Sequence, residues 1–131
     1  MATHLMVFVA SNDLINYFGQ ELERILNLKF APVGESPEIY YRFTGENWWL
    51  EIGTHTFIND RDLDFENFSY LIEIGAYNVR SLEECSAVIE YYARYIFDEL
   101  RALNKYRLML TYGVQIKLDE FAPIDPSSDP I

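Results

Sequence analysis

The stretch that most constrains the fold is "SLEECSAVIEYYARYIFDELRALNKY", Ser81–Tyr106, because its periodicity switches once and sharply. Ser81 followed by Glu84 has the spacing of a capping box, in which each side chain satisfies a backbone N–H at a helix start. Leu82, Cys85, Ile89, Tyr92, Ile96, Leu100 and Leu103 then recur at helical spacing, with Glu90, Arg94, Asp98, Arg101 and Lys105 opposite. From Glu90 to Arg101 the charges alternate in sign at helical spacing and are expected to support the helix modestly. Val88, Tyr91, Tyr95 and Phe97 widen the apolar arc, so the helix is expected to lie between layers or against a second subunit. From Tyr106 the period becomes two. Tyr106, Leu108, Leu110, Tyr112, Val114, Ile116 and Leu118 share one face of a strand, and Arg107, Thr111, Gln115 and Lys117 share the other. A single strand of that length would span about 43 Å, so Gly113 is expected to mark a bend, a bulge or a change of pairing neighbour.

Upstream, "HLMVFVA" reads as a strand from His4 to Ala10, and "SND" offers Ser11, Asn12 or Asp13 as a helix cap. Leu14, Phe18, Leu22 and Ile25 give the stripe of a helix over Leu14–Leu28. Pro32, Gly34 and Pro37 make "APVGESPE" a loop. "IYYRFT" and "WWLEIGTHTF" form an expected hairpin about Gly45-Glu46-Asn47, with Trp48, Leu50 and Ile52 inward and Trp49 and Glu51 outward. "SYLIEIGAY" is a further strand, with Tyr70, Ile72 and Ile74 on one face. The order is that of an α+β domain: a largely antiparallel sheet of about five strands with two amphipathic helices packed on one face. Residues 1–120 are expected to form one globular domain and 121–131 an irregular tail rich in Pro and Asp.

The 131 residues carry a formal net charge of -11, with 10 Tyr, 9 Phe and 2 Trp. The aromatic content argues against disorder, and the charge repels phosphate backbones and anionic membranes, so neither nucleic acid nor membrane is an expected partner. The amino-terminal stretch has neither the basic region nor the apolar length of a signal peptide or a span, which makes a cytoplasmic location the expectation. One cysteine, Cys85, excludes an intrachain disulfide and sits on the helical stripe, where a reduced, packed thiol is expected.

Chemistry-bearing constellations are sparse. "INDRDLDFEN" places Asp60, Asp62, Asp64 and Glu66 at alternate positions. A calcium loop would need Gly where Phe65 stands and Glu where Leu71 stands, so no metal and no cofactor are expected. The segment is either a solvated loop anchored by Leu63 and Phe65 or a contact surface for a basic partner. His4 and His55 lie on different strands and do not combine into a zinc centre. Neither a nucleophile elbow nor a phosphate loop occurs. Paired carboxylates such as Glu51 and Glu73, expected on neighbouring strands and the same exposed face, would permit acid–base work in principle. Trp49, on the outer sheet face with Met109 or Leu71 as expected neighbours, is a candidate interface aromatic.

These features point to a non-catalytic acidic protein-binding module, an inhibitor or immunity-type antagonist of a basic protein. Its contact candidates are Asp60, Asp62, Asp64, Glu66 and Trp49. The alternatives are a small-molecule-binding protein or enzyme with a pocket lined by Tyr92, Tyr95 or Tyr112, and a homo-oligomer that buries the surplus arc of the second helix.

Overall fold

A computed structural model of the chain describes residues 5–34 and 40–124. His4, Pro37 and the tail from residue 125 onward lie outside the described residues. Two helices, α1 (Ile15–Leu26) and α2 (Leu82–Ala102), pack on one face of an antiparallel sheet. The sheet has seven strands rather than about five: β1 (Leu5–Ala10), β2 (Ala31–Val33), β3 (Tyr40–Thr44), β4 (Trp48–Gly53), β5 (Tyr70–Ala76), β6 (Arg107–Tyr112) and β7 (Ile116–Phe121). Their spatial order is β2-β3-β4-β5-β1-β6-β7, which puts β1 at the centre between β5 and β6.

The two additional strands come from stretches read otherwise. "APV" pairs with β3 as a three-residue edge strand, where the missing N–H of Pro32 can face away from the ladder. The long run after Tyr106 folds back on itself. Gly113 adopts φ 57°, the Gln115 N–H donates to the Tyr112 carbonyl (3.3 Å), and Tyr112 pairs directly with Ile116. β6 and β7 are therefore a hairpin, and Val114, Ile116 and Leu118 end up exposed instead of continuing the buried face of Leu108 and Leu110.

The helix-side core joins Val7, Val9, Leu50, Ile52, Ile72, Ile74, Leu108 and Leu110 from the sheet to Phe18 and Leu22 of α1 and Ile89, Ile96, Phe97 and Leu100 of α2. Helix α2 begins as expected, with the Glu84 N–H donating to Ser81 Oγ (3.1 Å) and the Glu84 carboxylate accepting from the Arg80 N–H (3.0 Å). Helix α1 does not. Leu14 is its N-cap and has no side-chain cap bond; Ser11 Oγ instead accepts from the Asp13 N–H two residues on, a local turn that competes with capping. Leu14 is exposed, and Ile15 takes the place expected for it on the packed stripe. Arg94 of α2 pairs with Asp119 of β7 (2.6 Å) rather than with a helix neighbour, and Lys105, expected on the helix, lies beyond its end at Ala102 and pairs with Glu21 of α1 (3.2 Å). Cys85 is half-buried against the core and unpaired. No described helix is long and apolar enough to cross a membrane.

The opposite sheet face has its own smaller core. Met6, Phe8, Leu71 and Met109 point away from the helices and are covered by Leu63, Phe65 and Phe68 of the segment between β4 and β5.

Candidate partner-binding surface

The acidic segment is a packed cap. Leu63 and Phe65 are almost fully buried, and the Phe65 ring lies 4.9 Å from that of Phe8. His55 secures the two ends of the segment. A backbone N–H can only donate, so the contact of the Phe57 N–H with His55 Nδ1 (3.1 Å) makes that nitrogen an acceptor. The proton then sits on Nε2, which donates to the Phe68 carbonyl (2.8 Å). Between these anchors the chain makes a tight turn, with two backbone hydrogen bonds linking Asp60 and Leu63 (2.9 and 2.8 Å). Arg61 sits at its tip at φ 55°, a conformation a non-glycine residue adopts only under constraint.

The four carboxylates divide into two pairs with different work. Asp64 faces the protein. It accepts from Arg107 Nη2 (2.5 Å) and Asn67 Nδ2 (3.1 Å), and the Arg107 guanidinium in turn lies 4.9 Å above the Phe68 ring. Burial pushes the Asp64 carboxyl up, but the hydrogen bonds from Asn67 and Arg107 together outweigh it and hold the group below the usual aspartate value. Glu66 is also engaged: its carboxylate accepts from the Asn59 N–H (2.9 Å), and its own N–H donates to Asn59 Oδ1 (2.9 Å). Asp60 and Asp62 remain, both exposed on the turn and in no ion pair among the described residues.

Two apolar side chains just upstream in the chain escaped the sequence reading. Ile58 is 74% exposed and Phe57 37% exposed, although both directly precede the acidic run. The signal was available: the alternation of "THTFIND" ends in two consecutive apolar residues, so at least one cannot face the sheet.

Trp49 is elsewhere. It lies on the same sheet face, but across Gly75 of β5, so closely that a Cβ on Gly75 would fall 2.1 Å from the indole. Met109 and Leu71, its expected neighbours, belong to the core under the acidic cap instead. Gly75 and Leu71 are four residues apart, about 13 Å along β5, so the indole is a strand's length from the cap. With Arg42, Thr44 and Tyr77 it lines a shallow hollow of about 420 Å³. Between the hollow and the cap runs the cross-strand row Arg42, Glu51, Glu73. Glu51 and Glu73 are indeed paired neighbours, but the Arg42 guanidinium binds the Glu51 carboxylate through Nε (2.7 Å) and Nη2, which commits that carboxylate to a salt bridge.

Among the described residues, no three His, Cys, Asp or Glu side chains converge where a metal could be held. Among the described residues, Arg24, Arg42, Arg94, Lys105, Arg107 and Lys117, six of the chain's 10 basic residues, form ion pairs with carboxylates. Most of the positive charge is thus neutralised internally, and the acidic surplus faces outward. No protein family, curated protein or solved structure matches the chain.

Proposed function

We propose that the chain is a non-catalytic acidic protein-binding module, an inhibitor or immunity-type antagonist that docks its β4–β5 cap onto a basic protein. The observation that carries this reading is the turn itself: exposed Ile58, Asp60 and Asp62 follow one another in a segment closed by backbone hydrogen bonds and anchored by buried Leu63 and Phe65. Carboxylates around an apolar anchor suit a partner pocket rimmed by Lys or Arg. A turn held rigid before binding loses little conformational freedom on docking. The charge of -11 would speed encounter with a cationic partner and discourage anionic ones. Asp64 and Glu66 act in this proposal as positioning residues, and Trp49 marks a separate patch. A cytoplasmic location, expected from the amino-terminal sequence, belongs to the same proposal.

The test is capture of partners from the native lysate by the tagged full chain and by an Asp60→Asn/Asp62→Asn/Ile58→Ala variant, at low and moderate salt. The reading expects a stoichiometric basic protein, retained by the wild type at low salt, released as salt rises and lost from the variant. Recovery of the same proteins by both would remove the cap from the account. Recovery of the chain alone, at twice its own mass, would support a homo-oligomer instead.

A further inference from the structure

On the helix side of the sheet, α2 leaves an aromatic groove uncovered where it passes β4 and the end of α1. Trp48 and Tyr92 stack face to face (centroids 3.8 Å, planes 4° apart) and form its floor. Tyr91 stands perpendicular to Tyr92 (88°, 5.0 Å), and Tyr95, one turn on, lies parallel to Tyr91 (1°, 6.5 Å). Leu26, Leu28 and Phe43 complete a hollow of about 370 Å³, within the range that holds small organic ligands. Tyr91 is 65% and Tyr95 39% exposed, and neither hydroxyl is hydrogen-bonded within the described residues. Tyr112, which the sequence offered as a third lining residue, packs against the main core and lies outside the groove.

We infer that this groove is a binding site for a flat aromatic cation. Among the described residues the lining is apolar and aromatic and contains no charged side chain, so ring faces would supply the recognition; these attract cations through their quadrupoles. The charge nearby has the matching sign. The first three turns of α2 carry Glu83, Glu84 and Glu90 and no base. Arg94, next to Tyr95, is drawn away to Asp119 of β7, and Arg42, next to Phe43, to Glu51 of β4, which leaves Lys29, beside Leu28, as the one flanking cation outside these pairs among the described residues. An anionic ligand would meet neither a basic anchor in the groove nor a favourable field around it. The groove and the acidic cap lie on opposite faces of the sheet, so this inference stands or falls separately from the proposed docking surface.

The test is calorimetric titration of the full chain with N-methylquinolinium, its neutral isostere 1-methylnaphthalene, and naphthalene-1-sulfonate. The inference expects saturable binding of the cation, about tenfold weaker binding of the neutral isostere, and none of the anion. A Tyr91→Ala/Tyr95→Ala variant, in which both changes are at exposed positions, should keep its melting temperature and lose at least about tenfold in affinity. A Tyr91→Phe/Tyr95→Phe variant, which keeps the rings, should bind as the wild type does. No saturable binding of the cation, equal binding of the neutral isostere, or full binding by the alanine variant would each overturn the inference.

Discussion

At the scale of the residue, close contacts make Gly75 and Asp64 the most informative positions. Gly75 leaves the space that the Trp49 indole fills, so Gly75→Ala should displace the indole and cost about 1–3 kcal/mol. Chemical denaturation followed by tryptophan emission would read both effects. Asp64 controls acid stability together with Glu21 and Asp119. For Glu21, burial pushes the carboxyl up, but the Tyr106 hydroxyl (2.5 Å) and Lys105 together bring it below its ordinary value. Asp119 is likewise lowered, burial being outweighed by the Arg94 salt bridge and the Glu120 N–H. Because folding lowers these three values, the unfolded chain binds more protons in acid. Their contribution is complete above the unfolded values of 4.5 for Glu21 and 3.8 for the aspartates, and is lost as pH falls through the lower folded ones. Stability measured from pH 6 down to pH 2 should therefore fall below about pH 4.5, and Asp64→Asn should make that fall shallower. An unchanged slope would mean that the Arg107 pairing contributes nothing in solution. The division of labour within "DRDLDFEN" was not legible in the sequence, where four carboxylates at alternate positions look alike. Arg107, 43 residues from Asp64, is what separates them.

At the scale of the element, legibility followed whether the pattern was local. Helix α2 could be read because its cap and its stripe lie within one stretch, and Ser81→Ala should cost about 1 kcal/mol in thermal or denaturant unfolding. The hairpin β6–β7 could not be read because its turn conceals itself. Tyr112 and Ile116 pair directly and are four residues apart, an even number, so the period of two passes through the turn without a break. Only Gly113 marked the site, and its φ of 57° gives the reason. Gly113→Val should destabilise the hairpin by about 1 kcal/mol or more, although nothing lies within 4 Å of the added Cβ, because the strain is in the backbone. The two edge strands share a property that no local pattern shows. β2 has three residues with Pro32 at its centre, and β7 carries charged residues and an irregularity opposite Leu110–Thr111. Both features discourage pairing with another chain's edge. Replacing Pro32 with Val should lengthen the usable edge and raise the aggregation rate on mild heating, as followed by light scattering.

At the scale of the whole molecule, the described residues cover the sheet on one face with two helices and on the other, around Phe8, with the acidic cap. The alternation along each strand announced one buried face but not the cap, because Leu63, Phe65 and Phe68 belong to no periodic segment. Composition did convey the net charge. It conveyed nothing about how that charge is spread, and the account depends on the spread: carboxylates on the cap are claimed to matter more than equal charge elsewhere. The decisive measurement compares two variants of equal net charge for affinity toward the captured partner at two salt concentrations. One is Asp60→Asn/Asp62→Asn on the cap; the other is Glu83→Gln/Glu90→Gln on α2, across the sheet. The account predicts a loss of about tenfold or more for the cap variant, with a weaker salt dependence, and little change for the helix variant. Equal losses from both would show that the partner senses total charge alone, and would contradict the assignment of the cap as the docking surface.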